Sequence, residues 1–480
     1  MAAPIQTDLC IVGAGALGIA LAQHARTLGA RVVLVDRGVS EPGDGPQQKL
    51  HIAALKASAD RAYAARNAAA LGLGSAELKI SVKAVQERAR AVAMAQAPMT
   101  GHEHLRALGI EIVTGATSFA GPDSVLVGDV SIKAKNFILA VGGRQDVPAI
   151  PGLDQIKYLT RDSILDTNRK LTHLLVVGGN GDALALAQAF ARLGSAVTLV
   201  AHEEFLPQHD PETLAILVNM LAAEGVRVIP GGKVSEIIPR SQGTGALVDL
   251  PTGDTEALDV SHVLLATGSV PNLDALQPES AKLQMADGGV RNYVRGQFGE
   301  TSNRRVRLAG AAAGIEQWQY ALAHGRAVVE AMILGAPTQR LAPQPHLVLT
   351  EPPLANVGRS FQRARRAGAG TTVLRANMVE NAQARALGLS EGLVKVQLSA
   401  DGKIVGASIV GPGAAEMAVA LAFAMEKDIP LHDLARLSLP DPNLLSSVVS
   451  LGEQALALRP VSEWTLRWGA VRRMLSFWKR

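Results

Sequence analysis

The chain has 480 residues, more than one hydrophobic core usually organises, so two or three domains are expected. Its 48% hydrophobic and 19% charged residues, with 47 glycines, describe a soluble α/β protein and exclude a disordered or fibrous one. A net charge of +4, with no Lys/Arg-rich run before residue 460, excludes nucleic acid as an expected partner.

A single cysteine, Cys10, leaves no intrachain disulfide and suits a reducing cytoplasm. Residues 1–8 show no basic segment followed by an apolar core, and no run of about 18 apolar residues occurs. Neither a signal peptide nor a spanning helix is expected.

In chain order, a short strand over 9–12 is closed by Gly13-Ala14-Gly15-Ala16-Leu17-Gly18, then come a helix over 19–28 and a strand over 31–35. Gly13, Gly15 and Gly18 allow a tight turn, close approach to a pyrophosphate and close helix-strand packing, and the helix N-terminus favours phosphate charge. Asp36, ending the second strand, is placed to bond a ribose 2′-hydroxyl. The plain alternative is a tight turn with no ligand.

Helical spacing follows over 48–71 and 82–97, then strands over 110–113, 124–127 and 137–141, the last ending in Gly142-Gly143. A Pro/Gly-rich connector over 147–153 marks a boundary. The βαβ plan then repeats: a strand over 174–177, the turn Gly178-Gly179-Asn180-Gly181, a helix to 193 and a strand over 197–200. Beyond 333 a Pro-rich linker leads to strands near Leu347, Thr372, Leu393 and Ile404 and helices over 414–425 and 443–456, a separate α+β domain.

Four stretches make a resemblance specific. They are Ile138-Leu139-Ala140-Val141-Gly142 with Pro148-Ala149-Ile150-Pro151-Gly152, Leu265-Ala266-Thr267-Gly268-Ser269-Val270-Pro271-Asn272, Leu308-Ala309-Gly310, and Ile409-Val410-Gly411-Pro412-Gly413-Ala414 with Glu416. The chain resembles the pyridine nucleotide-disulfide oxidoreductases, the family of glutathione reductase, dihydrolipoamide dehydrogenase and mercuric reductase. The resemblance implies an α/β fold with two Rossmann-like dinucleotide-binding domains and a C-terminal α+β dimerisation domain, to which the spacing of the last residues adds an amphipathic C-terminal helix. FAD would be bound by 1–150 and 271–340, NAD(P)H as co-substrate by 151–270, and a second subunit by 341–458, with 459–480 as the tail. FAD contacts are expected at Gly13, Ala14, Gly15, Leu17, Gly18, Asp36, Arg37 and Ala116, and at Ala140, Gly142, Gly310 and Ala311. Nucleotide contacts are expected at Gly178, Gly179, Asn180, Gly181 and Gly268.

The chain also departs from the family. Its two redox cysteines have no counterpart in the stretch from Arg37 to Gly45, so thiol chemistry is excluded. Lys49 matches a family lysine near flavin N5 and is the one expected catalytic residue; a solvated helix-start lysine is the alternative. Asp441 and Ser446 stand where the family has its His-Pro histidine and the following glutamate, and Asp441-Pro442 can equally be a helix-start turn. Asn180 and Ala183 replace glycines of the second fingerprint, and a side chain at 180 would crowd a pyrophosphate. His202 ends the next strand in place of an acid. Ala311 replaces an aspartate that bonds the ribityl chain, a loss of about 1 kcal/mol. His102 and His104 alternate on a helix turn and read as solvated, so no metal site is expected.

Residues 461–480 place Trp464, Trp468, Val471, Leu475 and Trp478 at spacings of 4, 3, 4 and 3 with five basic residues and one acid. Such a face suits an anionic membrane surface, and packing on its own protein or a partner subunit is the alternative. Two functions follow. One is an FAD-dependent oxidoreductase passing electrons from NAD(P)H to a small non-disulfide acceptor, a membrane quinone among them, as a cytoplasmic homodimer peripheral to the inner membrane. The other is a non-catalytic flavin- or nucleotide-binding scaffold.

Overall fold

The computed structural model describes residues 3–38, 45–74, 78–95, 101–202, 205–285, 293–337, 341–360, 372–459 and 463–477. The shortened loop after Gly38 lies largely outside them, as do Trp478, Lys479 and Arg480. Two compact units result, Met1–Leu206 with Met220–Leu341, and Pro207–Asn219 with Ala342–Arg480.

In the first unit, β1 (Ile5–Val12) leads through α1 (Ala16–Thr27) to β2 (Val32–Asp36). Helices α2 (Pro46–Arg66), α3 (Val82–Ala95) and α4 (His102–Ala107) precede β3 (Ile110–Thr114), β4 (Thr117–Gly121), β5 (Ser124–Val127) and β6 (Val130–Leu139). The sheet runs β3-β2-β1-β6-β5-β4 and is parallel from β3 to β6. β1 and β2 read as unbroken Val/Ile/Leu runs because both their faces are buried: Leu9, Ile11 and Leu34 pack against α1, and Cys10, Val33 and Val35 belong to an opposite core with Phe119, Val125, Leu273 and Leu276.

The repeat is present. β7 (Gly143–Gln145) and β8 (Leu159–Thr160) precede β9 (His173–Val177), α5 (Gly181–Arg192), β10 (Ala196–Ala201) and β11 (Val226–Pro230), while α6 (Pro211–Ala223), between the last two in sequence, falls mostly in the second unit. With β15 (His262–Leu265) these strands form a parallel sheet, β11-β10-β9-β15-β8. A meander of β12 (Lys233–Pro239), β13 (Thr244–Asp249) and β14 (Thr255–Val260) was not apparent in the sequence, where short alternating strands give a weak signal. β16 (Ser269–Pro271) pairs with β7, and β17 (Val306–Leu308) returns the chain to β6 ahead of α7 (Trp318–Leu334). The first sheet is thus completed by a strand about 170 residues downstream of its neighbour.

The second unit is an antiparallel sheet of β18 (His346–Val348), β19 (Leu354–Gly358), β20 (Thr372–Asn377), β21 (Leu393–Leu398) and β22 (Ile404–Val410), in the order β18-β19-β22-β21-β20. Helices Ala414–Glu426 and Ser446–Ala457 supply Met417, Leu421, Val448 and Leu451 to its core. Lys395, buried on β21, has its ammonium 2.8 Å from both Asp210 and Glu212. Thr213 and Ser408 share a buried hydroxyl contact at 2.8 Å. These bonds explain why Pro207–Asn219 belongs to this unit.

His209 is buried there with Nδ1 unpartnered, and burial, with His346 adding to it, pushes its pKa down to about 4. The unfolded chain therefore binds a proton below about pH 6.5 that the folded unit refuses until about pH 4. Stability contributed by neutral His209 is complete above that window and lost through it as pH falls. His209→Phe should flatten the acid limb of a urea-unfolding series between pH 6.5 and 4 by on the order of 2 kcal/mol. An unchanged slope would show that other groups set it.

Candidate functional site

The first fingerprint turn closes tightly. Gly13 has φ +113°, and a Cβ there would stand 2.3 Å from the Ala140 carbonyl oxygen; one on Gly18 would stand 1.8 Å from that of Gly13. Gly15 has no heavy atom within 4 Å of where its Cβ would lie. It precedes α1 with no side chain capping the first-turn N–H groups, an open cradle suited to a diphosphate.

Ala140, Leu17 and Gly310, three of the expected FAD residues, pack at or beside this turn. The Ala140 amide donates to Val12 at 2.9 Å and the Ala309 amide to Leu139 at 3.0 Å. Gly310, at φ +65°, lies against Leu17, whose Cδ2 would be 2.6 Å from an added Cβ. Ala311 follows in a short 3₁₀ turn, and Gly142 takes φ +69°. Ala116 sits where β3 ends beside Asp36, accepting from Gly128 at 2.9 Å.

Asp36 itself corrects the reading of α4. Its Oδ1 accepts from the Gly38 amide and its Oδ2 lies 2.9 Å from His102 Nε2, also the Gly38 distance. His102 is therefore a partner of the expected ribose acceptor and not simply a solvated turn residue. Nothing in the local spacing signals this, because 66 residues separate the two. No cluster suited to a metal ion occurs among the described residues.

The second turn copies the first in backbone but not in chemistry. Gly178 has φ +137°, with a would-be Cβ 2.0 Å from the Ala266 carbonyl oxygen, and Gly179 packs toward Ala201. Asn180 adopts φ −87° and ψ 175°, close to the −70° and 175° of Gly15. Its side chain does not project freely; Oδ1 accepts from the Ala183 amide at 2.9 Å. The residue thus caps α5, consuming a first-turn donor that a phosphate would otherwise meet, and Gly181 starts the helix. His202 is exposed at the end of β10.

Lys49 is not a solvated lysine. Its ammonium lies 2.7 and 2.8 Å from the two oxygens of Asp182, in the first turn of α5, and Arg161 reaches the same carboxylate at 3.2 Å. Burial alone would raise the Asp182 pKa, but Lys49 and Arg161 outweigh it and hold the carboxyl below its ordinary value. Asp182 and Arg161 line a cleft of about 250 Å³ together with Asn180, Asp162, Gly268, Ser269 and Glu316. Asp162 Oδ1 is buried without a hydrogen bond, and desolvation pushes that carboxyl up.

The facing of Lys49 and Asp182 is set by a deeper ionic seam between α2 and α5. Arg192 is only 4% exposed; it bonds Asp60 at 2.6 Å and Glu224 at 2.5 and 2.7 Å, with its guanidinium 4.3 Å above the Tyr63 ring centroid. Sequence spacing gave no hint of Asp182 or Arg161, since the contacts join segments 133 and 21 residues apart.

In the second unit, Asp441 is exposed and precedes the helix that begins at Ser446. Asn443, not Asp441, shapes the turn before it, its Oδ1 accepting from the Leu445 amide at 2.8 Å, and no side chain caps the helix. Ser446 donates to the Asn443 carbonyl and accepts from Asn381 at 3.0 Å. Its hydroxyl is occupied in shaping this turn.

Two βαβ units, each closed by a glycine turn, with a cleft beside the second turn define a dinucleotide-binding reductase architecture. The model of the pyridine nucleotide-disulphide oxidoreductases matches residues 7–325, and that of their dimerisation domain matches 344–451, so the chain belongs to this family. Mercuric reductase of Streptomyces lividans is 29% identical over 89% of this chain and 92% of its own. Dihydrolipoyl dehydrogenase of Geobacillus stearothermophilus is 27% identical over 94% and 97%. The HOCl-induced flavoprotein disulfide reductase RclA of Escherichia coli superposes with a TM-score of 0.77 at 21% identity, covering 94% of this chain and 99–100% of its own, and so shares the fold. Family members such as these are FAD enzymes using NAD(P)H, and the open Gly15 cradle fits the diphosphate of such a cofactor.

Two substitutions separate fold from ligand. Gly15→Val should leave the thermal transition within a few degrees and sharply lower the flavin absorbance of purified protein, whereas Gly18→Val should abolish soluble protein. Equal flavin content in Gly15→Val and the parent would remove this turn from the binding site. Asp182→Asn should cost about 2 kcal/mol in urea unfolding at pH 7. Because the folded carboxyl is held below its ordinary 3.8, that difference should be complete above about pH 4 and shrink on further acidification.

Proposed function

We propose that the protein is an FAD-dependent oxidoreductase that takes electrons from NAD(P)H and delivers them to an acceptor that is not a disulfide. The carrying observation is where the single cysteine lies. Cys10 is fully buried in β1, and burial pushes its thiol up, so it is a packed core group rather than a nucleophile. Bound FAD would accept and return hydride or single electrons without any protein thiol.

The chain's own residues supply the setting. Gly13, Gly15 and Gly18 with Ala14, Leu17, Asp36, Arg37, Ala116, Ala140, Gly142, Gly310 and Ala311 bind the cofactor. Gly178, Gly179, Asn180, Gly181 and Gly268 line the reductant's side. Lys49 is the catalytic group, its ammonium held by the cleft residue Asp182 and there to balance negative charge that develops on reduction. The FAD part comprises residues 1–150 and 271–340, the nucleotide part 151–270. Residues 341–458 pair two subunits, a reading supported by the exposed Val419 and Phe423 on helix Ala414–Glu426. A planar quinone fits the acceptor role, with the dimer cytoplasmic and peripheral to the inner membrane.

The purified protein should be yellow and bleach anaerobically with NADH or NADPH, with a soluble quinone restoring the colour. Lys49→Met should slow bleaching tenfold or more while leaving flavin content unchanged. A second reading, a non-catalytic flavin-binding scaffold, draws on the Asn180 cap that occupies a phosphate donor. Flavin that neither nicotinamide bleaches would establish it and overturn the first.

A further inference from the structure

The helix Glu463–Phe477 carries Trp464, Trp468 and Val471 at i, i+4 and i+7, a single stripe on a 3.6-residue repeat. These side chains are 70%, 59% and 45% exposed, and Met474 beside Val471 is 72% exposed. A contiguous apolar stripe of this kind marks an interaction surface. Arg467 lies three residues after Trp464 and Arg472 four after Trp468, so exposed guanidinium groups border the stripe on both sides, with Arg473 behind it. Glu463 is the only acid in the helix.

We propose that this helix lies flat in the surface of an anionic lipid bilayer, with its indoles at headgroup depth and its arginines on lipid phosphates. The charge pattern selects lipid over a second copy of the chain, because pairing two such stripes would bring their arginine borders together. A helix of 15 residues is roughly 22 Å long. Among the described residues no helix is long and apolar enough to cross a membrane, so the segment lies on the bilayer rather than through it. The inference deepens the membrane-acceptor reading, but lipid binding is read without turnover, so either can fail alone.

The test uses the full-length flavin-loaded protein and sedimentation with vesicles of phosphatidylcholine, with and without phosphatidylglycerol. The protein should pellet only with the anionic vesicles and return to the supernatant as salt rises. Trp464→Ser with Trp468→Ser should reduce partitioning at least tenfold. Arg472→Glu with Arg473→Glu should reduce it similarly, on the order of fivefold for each charge removed. Flavin absorbance and oligomer mass should stay at parental values in both variants. The proposal is overturned if the parent ignores anionic vesicles, or if the serine variant binds them as well as the parent. It is equally overturned if the serine variant lowers the oligomer mass, which would assign the stripe to a second copy.

Discussion

The buried guanidinium of Arg192 is the constraint on which the cleft depends. A charge that deep is tolerated only when its donors are satisfied, and Asp60, Glu224 and the Tyr63 face satisfy it from three directions. Satisfying it locks α2, which follows the first nucleotide unit, onto α5, which opens the second. Everything at the cleft mouth inherits that lock. Lys49 and Asp182 meet because their helices are already held, and Arg161 completes a cluster in which two cations share one carboxylate.

Two turns of nearly identical backbone show how little sequence change separates a phosphate cradle from a self-capped helix. At Gly15 the missing side chain leaves the amides of α1 facing open space; at Asn180 the side chain folds back and takes an amide of α5. Backbone geometry alone would make the sites equivalent. The difference lies in one acceptor oxygen, which a reductant's diphosphate would have to displace or work around.

Much of this was legible in advance. Continuous apolar runs bounded by glycines gave β1, β2, β9 and β10, because parallel strands buried on both faces need no alternation. Helical spacing gave α2, α3 and the two helices of the C-terminal unit. What escaped was non-local. The His102 contact with Asp36, the Asp182 anchor of Lys49 and the Arg192 seam each join residues far apart in the chain, and pairing of charges across a fold leaves no periodic mark. The antiparallel meander β12 to β14 escaped for another reason. Its strands each carry charged residues, among them Glu236, Asp249 and Glu256, so their pattern is hard to tell from turn-rich loop.

Arg192 and Asp60 stand 132 residues apart, and each gives the other a charge partner. The two nucleotide-binding halves of this chain are consequently not interchangeable cassettes. A second half borrowed from a relative without this arginine would leave Asp60 with Lys56 but without its guanidinium partner across the seam. Any chimera of these halves must therefore carry Asp60, Tyr63, Arg192 and Glu224 as one inherited set.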